Sequence, residues 1–418
     1  MSEASASPLA ARLNALLPPG RFERIGVAVS GGGDSIALMH LLAAHHAAGG
    51  PEPVVVSLDH GLRPEAAGEV AAVAQSAAAL GVTHAALVWG GWDGRGNLMA
   101  GARRARYRLI AEWAIGQGLP AVALGHTADD QAETFLMRLA RGAGLDGLSG
   151  MSAERRAEGM LWLRPLLDTT RAELRAYLRA AGLGWVDDPT NDDTTYARVR
   201  ARATMAALVP LGISPSGVAE VTAHLREVRE VLDAATYAVA EALVRFDMGD
   251  LVIDRAGLAQ QPAELRRRLL AQALRWIAGA EHAPRGPALA AFGETALKGS
   301  APATLHGCIA LPEGEQLRIC REAASCAGAV PLGAVWDGRW RLNGPSVPGA
   351  EVRALGDAGL QQCPEWRASG RPRAALAADP ALWRGAELLA APLAGMGNGW
   401  HVEPERDRAD FLVSLFVH

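Results

Sequence analysis

Residues 27–42, VAVSGGGDSIALMHLL, join a β-branched run to an apolar stretch with helical spacing through Ser30, Gly31, Gly32, Gly33, Asp34 and Ser35. Strand, glycine turn and helix in that order form a recipe for holding an anion. Glycines let successive N–H groups converge, and the helix N-terminus adds partial positive charge. Ser30 and Ser35 can donate hydroxyl hydrogen bonds to phosphate oxygens. The lysine that ends a nucleotide-binding P-loop is missing, and Asp34 stands in its place. A carboxylate repels a bare phosphate, so Asp34 is read as acting through Mg²⁺. The competing reading is an ordinary βα turn with Asp34 as a capping residue.

A second group lies in GHTADDQAETFLMRLARG (125–142). Thr127 to Asp130 is a capping box, and acids suit a helix's first turn, which explains Asp129, Asp130 and Glu133 without function. Asp130 and Glu133 also share one helical face, where paired carboxylates could hold Mg²⁺ or serve as base toward an incoming amine. The preceding strand would deliver His126 to the same end of the sheet as the 30–35 loop. Arg103, Arg104, Arg106 and Arg108 make the densest basic patch. With Tyr107 interleaved, it reads either as a solvated helix face or as a surface that grips an RNA backbone and stacks a base. Arg198, Arg200 and Arg202 sit two apart, so only some of them can enter one site. His60 is a strand-end ligand group or a core histidine.

The elements that must position these residues are legible. RIGVAV (24–29), PVVVSLD (53–59), HAALVW (84–89), AVALGH (121–126) and MLWLRPL (160–166) are short apolar runs bounded by Gly, Pro or Asp. Helical patterns separate them, and TTRAELRAYLRAAG (169–182) opens with a Thr170–Glu173 capping box. This alternation predicts an α/β fold: a Rossmann-like, mostly parallel sheet with helices on both faces. After Pro210 two long amphipathic helices suggest a helical module, and TLHGCIALPEGEQLRICRE reads as a hairpin. Three domains are expected, over 1–215, 216–325 and 326–418, the last a small β-rich part of an α+β C-terminal region.

Composition narrows the classes. At 418 residues and a formal net charge of −4, the chain has no global basic signature, so nucleic-acid binding must be local. Lys298 is the one lysine among 41 basic residues, which removes lysine from any phosphate grip in the N-terminal half. The four cysteines, Cys308, Cys320, Cys326 and Cys363, contain no C-x-x-C pair, which argues against zinc or an iron–sulfur cluster. The expected location is a reducing cytoplasm, with no membrane span and no secretory signal.

SGGGDS (30–35) resembles the S-G-G-x-D-S motif of the PP-loop, or N-type ATP pyrophosphatase, family. LDHGLR (58–63) resembles the H-H-G-L-R motif of the tRNA(Ile)-lysidine synthetases within it, with Asp59 replacing the first histidine. Ala102, Arg103, Arg106 and Tyr107 resemble their A-R-x-x-R-Y segment. GHTADDQAETFLMRLARG, RPLL (164–167) and DDPTN (187–191) also fit. YARVRARATM (196–205) resembles F-x-R-N-x-I-R with Val199 and Ala201 substituted. The resemblance implies ATP and Mg²⁺ as cofactors, and free L-lysine and a CAU-anticodon tRNA(Ile) as substrates. It implies nucleotide binding by Ser30 to Ser35 and metal binding by Asp34 and Asp130. Glu133 would handle the lysine amine or its proton, and Arg202 would steady charge near the α-phosphate or the substrate RNA. His60, Arg63, Arg103, Arg106, Tyr107, His126 and Arg198 would face the RNA or lysine. A PP-loop tRNA thiolase is the nearest rival, disfavoured because no cysteine precedes Cys308. An amidotransferase lacks an evident ammonia-delivering domain, and a non-catalytic RNA-binding protein should have lost Asp34 or Asp130. The oligomeric state, a homodimer included, is left open.

Overall fold

A computed structural model describes residues 8–61, 65–91, 98–186, 195–284 and 286–416. The chain forms two compact units, Met1–Arg229 and Glu230–His418.

The first unit runs α1 (Pro8–Leu16), β1 (Arg24–Ala28), α2 (Gly33–Ala47), β2 (Glu52–Asp59), α3 (Ala66–Ala79), β3 (His84–Val88), α4 (Leu98–Gly116) and β4 (Ala121–Leu124). It continues with α5 (Ala128–Leu139), the short α6 (Leu145–Leu148), β5 (Glu154–Ala157), β6 (Met160–Leu163), α7 (Arg171–Ala180), α8 (Ala197–Leu208) and the long α9 (Pro215–Leu243), within which the two units divide. Six strands form one sheet in the order β3-β2-β1-β4-β6-β5. All neighbours are parallel except the β5–β6 hairpin. The expected α/β sheet is therefore present, with the antiparallel edge strand β5 added to it.

The strands read as continuous apolar runs because both faces are covered. One face buries Ile25, Val27, Val55, Ala123 and Leu163 under α1, α2, α3 and α7. The other buries Val54, Val56, Val122 and Trp162 under α4 through Ile110, Ala111 and Ala114. Because β1 and β4 are adjacent and parallel, the turns that follow them emerge at the same sheet edge. Those turns are the glycine loop and the 125–127 segment, at the carboxyl ends where open α/β sheets place ligands.

The second unit contains β7 (Val244–Asp247), β8 (Asp250–Asp254), α10 (Arg255–Gln260), α11 (Ala263–Ala278), α12 (Gly286–Lys298), β9 (Ala303–Leu305), β10 (Cys308–Glu313) and β11 (Gln316–Arg321). After these come β12 (Val330–Pro331), β13 (Trp340–Asn343), β14 (Glu351–Ala354), α13 (Gly356–Gln362), α14 (Arg373–Ala377), β15 (Pro380–Arg384), β16 (Glu387–Ala390), β17 (His401–Pro404) and α15 (Arg408–Ser414). The sequence-predicted hairpin is β10–β11, but it belongs to a five-stranded sheet ordered β7-β8-β11-β10-β9. The β7–β8 hairpin was not foreseen. Its turn puts Met248 at φ 45° and Gly249 at φ 79°, a left-handed pair that a methionine does not advertise. Beyond it, small sheets β12-β14-β15-β16 and β13-β17 pack around Trp336, Trp340 and Trp400. No single helix among the described residues is long and apolar enough to cross a membrane.

Candidate active site

The glycine loop is shaped by its own serine. Gly31 takes φ 89°, and Gly32 precedes α2 in an extended conformation. Ser35 Oγ donates to the Gly32 carbonyl at 2.9 Å and accepts from the Ser30 amide at 3.1 Å. The Ser35 hydroxyl proton is thus spent inside the loop, so Ser35 maintains the turn, whereas Ser30 is exposed and its hydroxyl lies 3.3 Å from Ser35 Oγ. Two neighbours hold the loop from outside. The Val186 amide donates to the Gly31 carbonyl at 3.1 Å, and the Trp185 ring lies against Gly33. Gly125 packs so closely that a Cβ there would stand 3.1 Å from the Asp34 carbonyl oxygen.

At the start of α5 both readings of the acidic run hold at once. Asp130 Oδ2 accepts from the Thr127 amide at 2.8 Å and from its hydroxyl at 3.1 Å, completing a capping box. Its other oxygen, Oδ1, faces the site, where Arg171 Nη2 donates at 2.5 Å and Arg198 Nη2 at 3.2 Å. Glu133, one turn later, is almost completely buried, with 1% of its surface exposed. Glu133 Oε1 accepts from Arg171 Nη1 at 2.6 Å and Arg202 Nε at 3.0 Å, and Oε2 accepts from Arg198 Nε at 2.8 Å. Asp34 Oδ2 accepts from Arg171 Nε at 3.2 Å.

Arg171, the centre of this cluster, was not among the residues singled out by sequence. It is the first residue of α7, held there by the Thr170–Glu173 capping box. Its own amide donates to Asp129 Oδ2 at 2.7 Å, and the Ala128 amide donates to the Thr169 carbonyl, so the N-termini of α5 and α7 are tied together. One signal was available. A cation in the first turn opposes the helix dipole, so an arginine there calls for a nearby anion.

The electrostatics follow from these contacts. Burial pushes the Asp34 carboxyl up to about 6, because a single guanidinium offsets it only in part while Asp130 and Asp129 repel. Burial also acts on Asp130, but Arg171 and Arg198 outweigh it and leave the carboxyl below its usual range. Glu133 is likewise pushed up by burial and pulled lower by Arg171 and Arg198, with a net fall. A carboxylate so held is a poor proton acceptor. Held by three guanidiniums, Glu133 presents fixed negative charge to the site.

The remaining predicted residues divide. Arg198 and Arg202, four apart on α8, both enter the cluster, whereas exposed Arg200 turns back to the Thr195 carbonyl. His126 follows β4; burial drives its ring down to about 3, so it is neutral, and Nδ1 is buried without a hydrogen-bond partner among the described residues. His60 Nδ1 is in the same condition, with the ring edge-on to Trp89. Asp59, the departure from the family histidine, accepts from the Gly61 amide at 2.7 Å and so forms the turn itself. Tyr107 packs T-shaped on Trp162, with Arg103 5.2 Å above its ring centre. Part of this half-buried ring is therefore taken up by the packing of α4 on the sheet. Arg106 is held beside it, with burial lowering its basicity. Arg63 and DDPTN lie outside the described residues.

A family model for the PP-loop domain matches residues 5–209. The tRNA(Ile)-lysidine synthase of Ruegeria pomeroyi is 50% identical over 396 residues, covering 94% of each chain. This chain belongs to the tRNA(Ile)-lysidine synthase family. The lysidine synthases of a Bradyrhizobium species (42% identical, 59% of this chain and 72% of that one) and Methylobacterium nodulans (42%, 66% and 81%) are also similar. In lysidine-synthase terms the cluster unites the PP-loop motif, the D-D-x-x-E motif and the arginine motif of α8. Asp34 and Asp130 both bond to one guanidinium, so both face one cationic position. Mg²⁺ is held by one or two carboxylates plus substrate phosphates, and this donor set fits it.

Proposed function

We propose that this ligase uses ATP, Mg²⁺ and free L-lysine to convert the wobble cytidine of a CAU-anticodon tRNA(Ile) to lysidine. The observation that carries the reading is that Asp34, at the end of the glycine loop, is joined through Arg171 to Asp130 and Glu133, which also hold Arg198 and Arg202. The cytidine C2 oxygen attacks the α-phosphate of ATP; a P–O bond forms and pyrophosphate leaves. The lysine ε-amine then attacks C2, the C2–O bond breaks, AMP leaves, and the amine's proton passes to solvent. Adenylation is needed because it turns a poor leaving oxygen into a good one.

The loop amides and Ser30 bind the nucleotide's phosphates. Asp34 and Asp130 would hold Mg²⁺, which would supply neutralising charge for the phosphates. Glu133 attracts the cationic substrate and orients Arg198 and Arg202, which face developing charge on the α-phosphate. Neutral His126 sits beside this group, and Arg103, Arg106 and His60 form the RNA-facing side. Residues 1–215 carry the chemistry, while 216–325 and 326–418 contact the tRNA. The reaction runs in the cytoplasm.

The test mixes the protein with ATP, labelled lysine and CAU-anticodon tRNA. Label in RNA with stoichiometric AMP supports the reading. Sulfur incorporation without lysine would favour a thiolase, against which the absence of cysteine before Cys308 already argues.

A further inference from the structure

We infer that Arg171 is a positioning residue with two unequal duties: it braces Asp130 and Glu133 permanently, and it occupies Asp34 only until a divalent cation takes its place. The inference rests on the metal role proposed above for Asp34.

The three contacts differ. The Nη donors reach Asp130 and Glu133 at 2.5 and 2.6 Å, with carboxylates only 9% and 2% exposed. The Nε contact to Asp34 is 3.2 Å long, and that side chain is 25% exposed. Nε is at the stem side of the guanidinium and the Nη atoms are at its far end, so a small tilt breaks the first contact and leaves the others. Asp130 and Glu133 also keep Arg198, and Glu133 keeps Arg202. Among the described residues, Arg171 is the only ion-pair partner of Asp34. Arginine cannot lose its proton, so it must yield Asp34 by moving. The α7 cap and the Asp129 contact to its amide fix the backbone about which it moves.

The test measures Mn²⁺ binding to the full chain without ATP, by electron paramagnetic resonance. Arg171→Gln removes the competitor and should bind Mn²⁺ on the order of tenfold more tightly. Arg171→Lys keeps the charge but not the fork; its affinity should stay near that of the unaltered protein while lysine transfer falls. Unchanged or weaker binding in Arg171→Gln overturns the inference, as does tightening in Arg171→Lys equal to that in Arg171→Gln. Asp34→Asn separates the two levels. If it binds Mn²⁺ as well as the unaltered protein, the metal reading of Asp34 fails, and this inference with it. Loss of binding there, with no gain in Arg171→Gln, overturns this inference alone. In the unaltered protein the Arg171 ¹⁵Nε signal, assigned by its absence from the Arg171→Lys spectrum, should shift on Mg²⁺ addition. A silent signal overturns the inference even where Arg171→Gln does not fold.

Discussion

The Val186 amide donates to the Gly31 carbonyl across 3.1 Å, fastening a segment far along the chain onto the glycine loop. Beside it the Trp185 ring covers Gly33, where an added Cβ would stand 3.3 Å from the indole. Trp185→Ala should therefore leave the fold intact but loosen the loop, raising the KM for ATP about five- to tenfold. Pyrophosphate release over an ATP series measures this, and an unchanged KM would show that the contact is incidental.

Gly125 faces backbone, not a flexible side chain. In Gly125→Ala the new methyl meets the Asp34 carbonyl at 3.1 Å and Ser35 Cα at 3.2 Å, so β4 and the loop must separate. Overpacking of this kind costs about 1–3 kcal/mol. Urea unfolding followed by far-UV circular dichroism should record that loss, together with weaker ATP binding. Wild-type stability in this variant would mean that the close approach is relieved without effort.

Glu133 accepts from three arginines and carries fixed charge. Glu133→Gln removes the charge and should slow lysine transfer about 100-fold, while adenylation falls less because the amide oxygen still accepts from the arginines, so that adenylated tRNA accumulates. Quenched-flow analysis of the two half-reactions decides it. Equal losses in both would sink the assignment to lysine.

Arg103 and Tyr107, four residues apart, should part company. Arg103 is exposed, so Arg103→Ala should weaken tRNA binding and lower the salt slope by about one. Tyr107 packs on Trp162, so Tyr107→Ala should cost about 2–4 kcal/mol of stability. Filter binding across a salt series and thermal unfolding separate the two. A salt-slope change in the tyrosine variant without lost stability would return its ring to the RNA.

Burial pushes the Cys308 and Cys326 thiols up to about 12. A raised thiol pKa means that the reactive thiolate is scarce at pH 8 and becomes abundant only as pH approaches 12. Native protein at pH 8 should leave both unlabelled by a disulfide reagent, and unfolding in urea should expose all four cysteines. Rapid labelling of either in the native state would contradict the packing.

The sequence by itself determined the parallel sheet, since its β-branched runs and helical spacings are local patterns set by strand and helix periodicity. It also determined the anion loop and the shared face of Asp130 and Glu133, because motif chemistry and three-residue spacing are properties of neighbouring residues. Even the split among Arg198, Arg200 and Arg202 follows from helical geometry. Only the tertiary structure decided which cation meets the acids. Arg171 lies 137 residues from Asp34, and nothing in the chain between them encodes their meeting. It likewise decided that Ser35 spends its hydroxyl on the loop, that Glu133 is saturated by guanidiniums, and that Tyr107 packs against Trp162. Such outcomes depend on which donors the folded chain brings within hydrogen-bond reach and what it removes from water. Local sequence fixes neither.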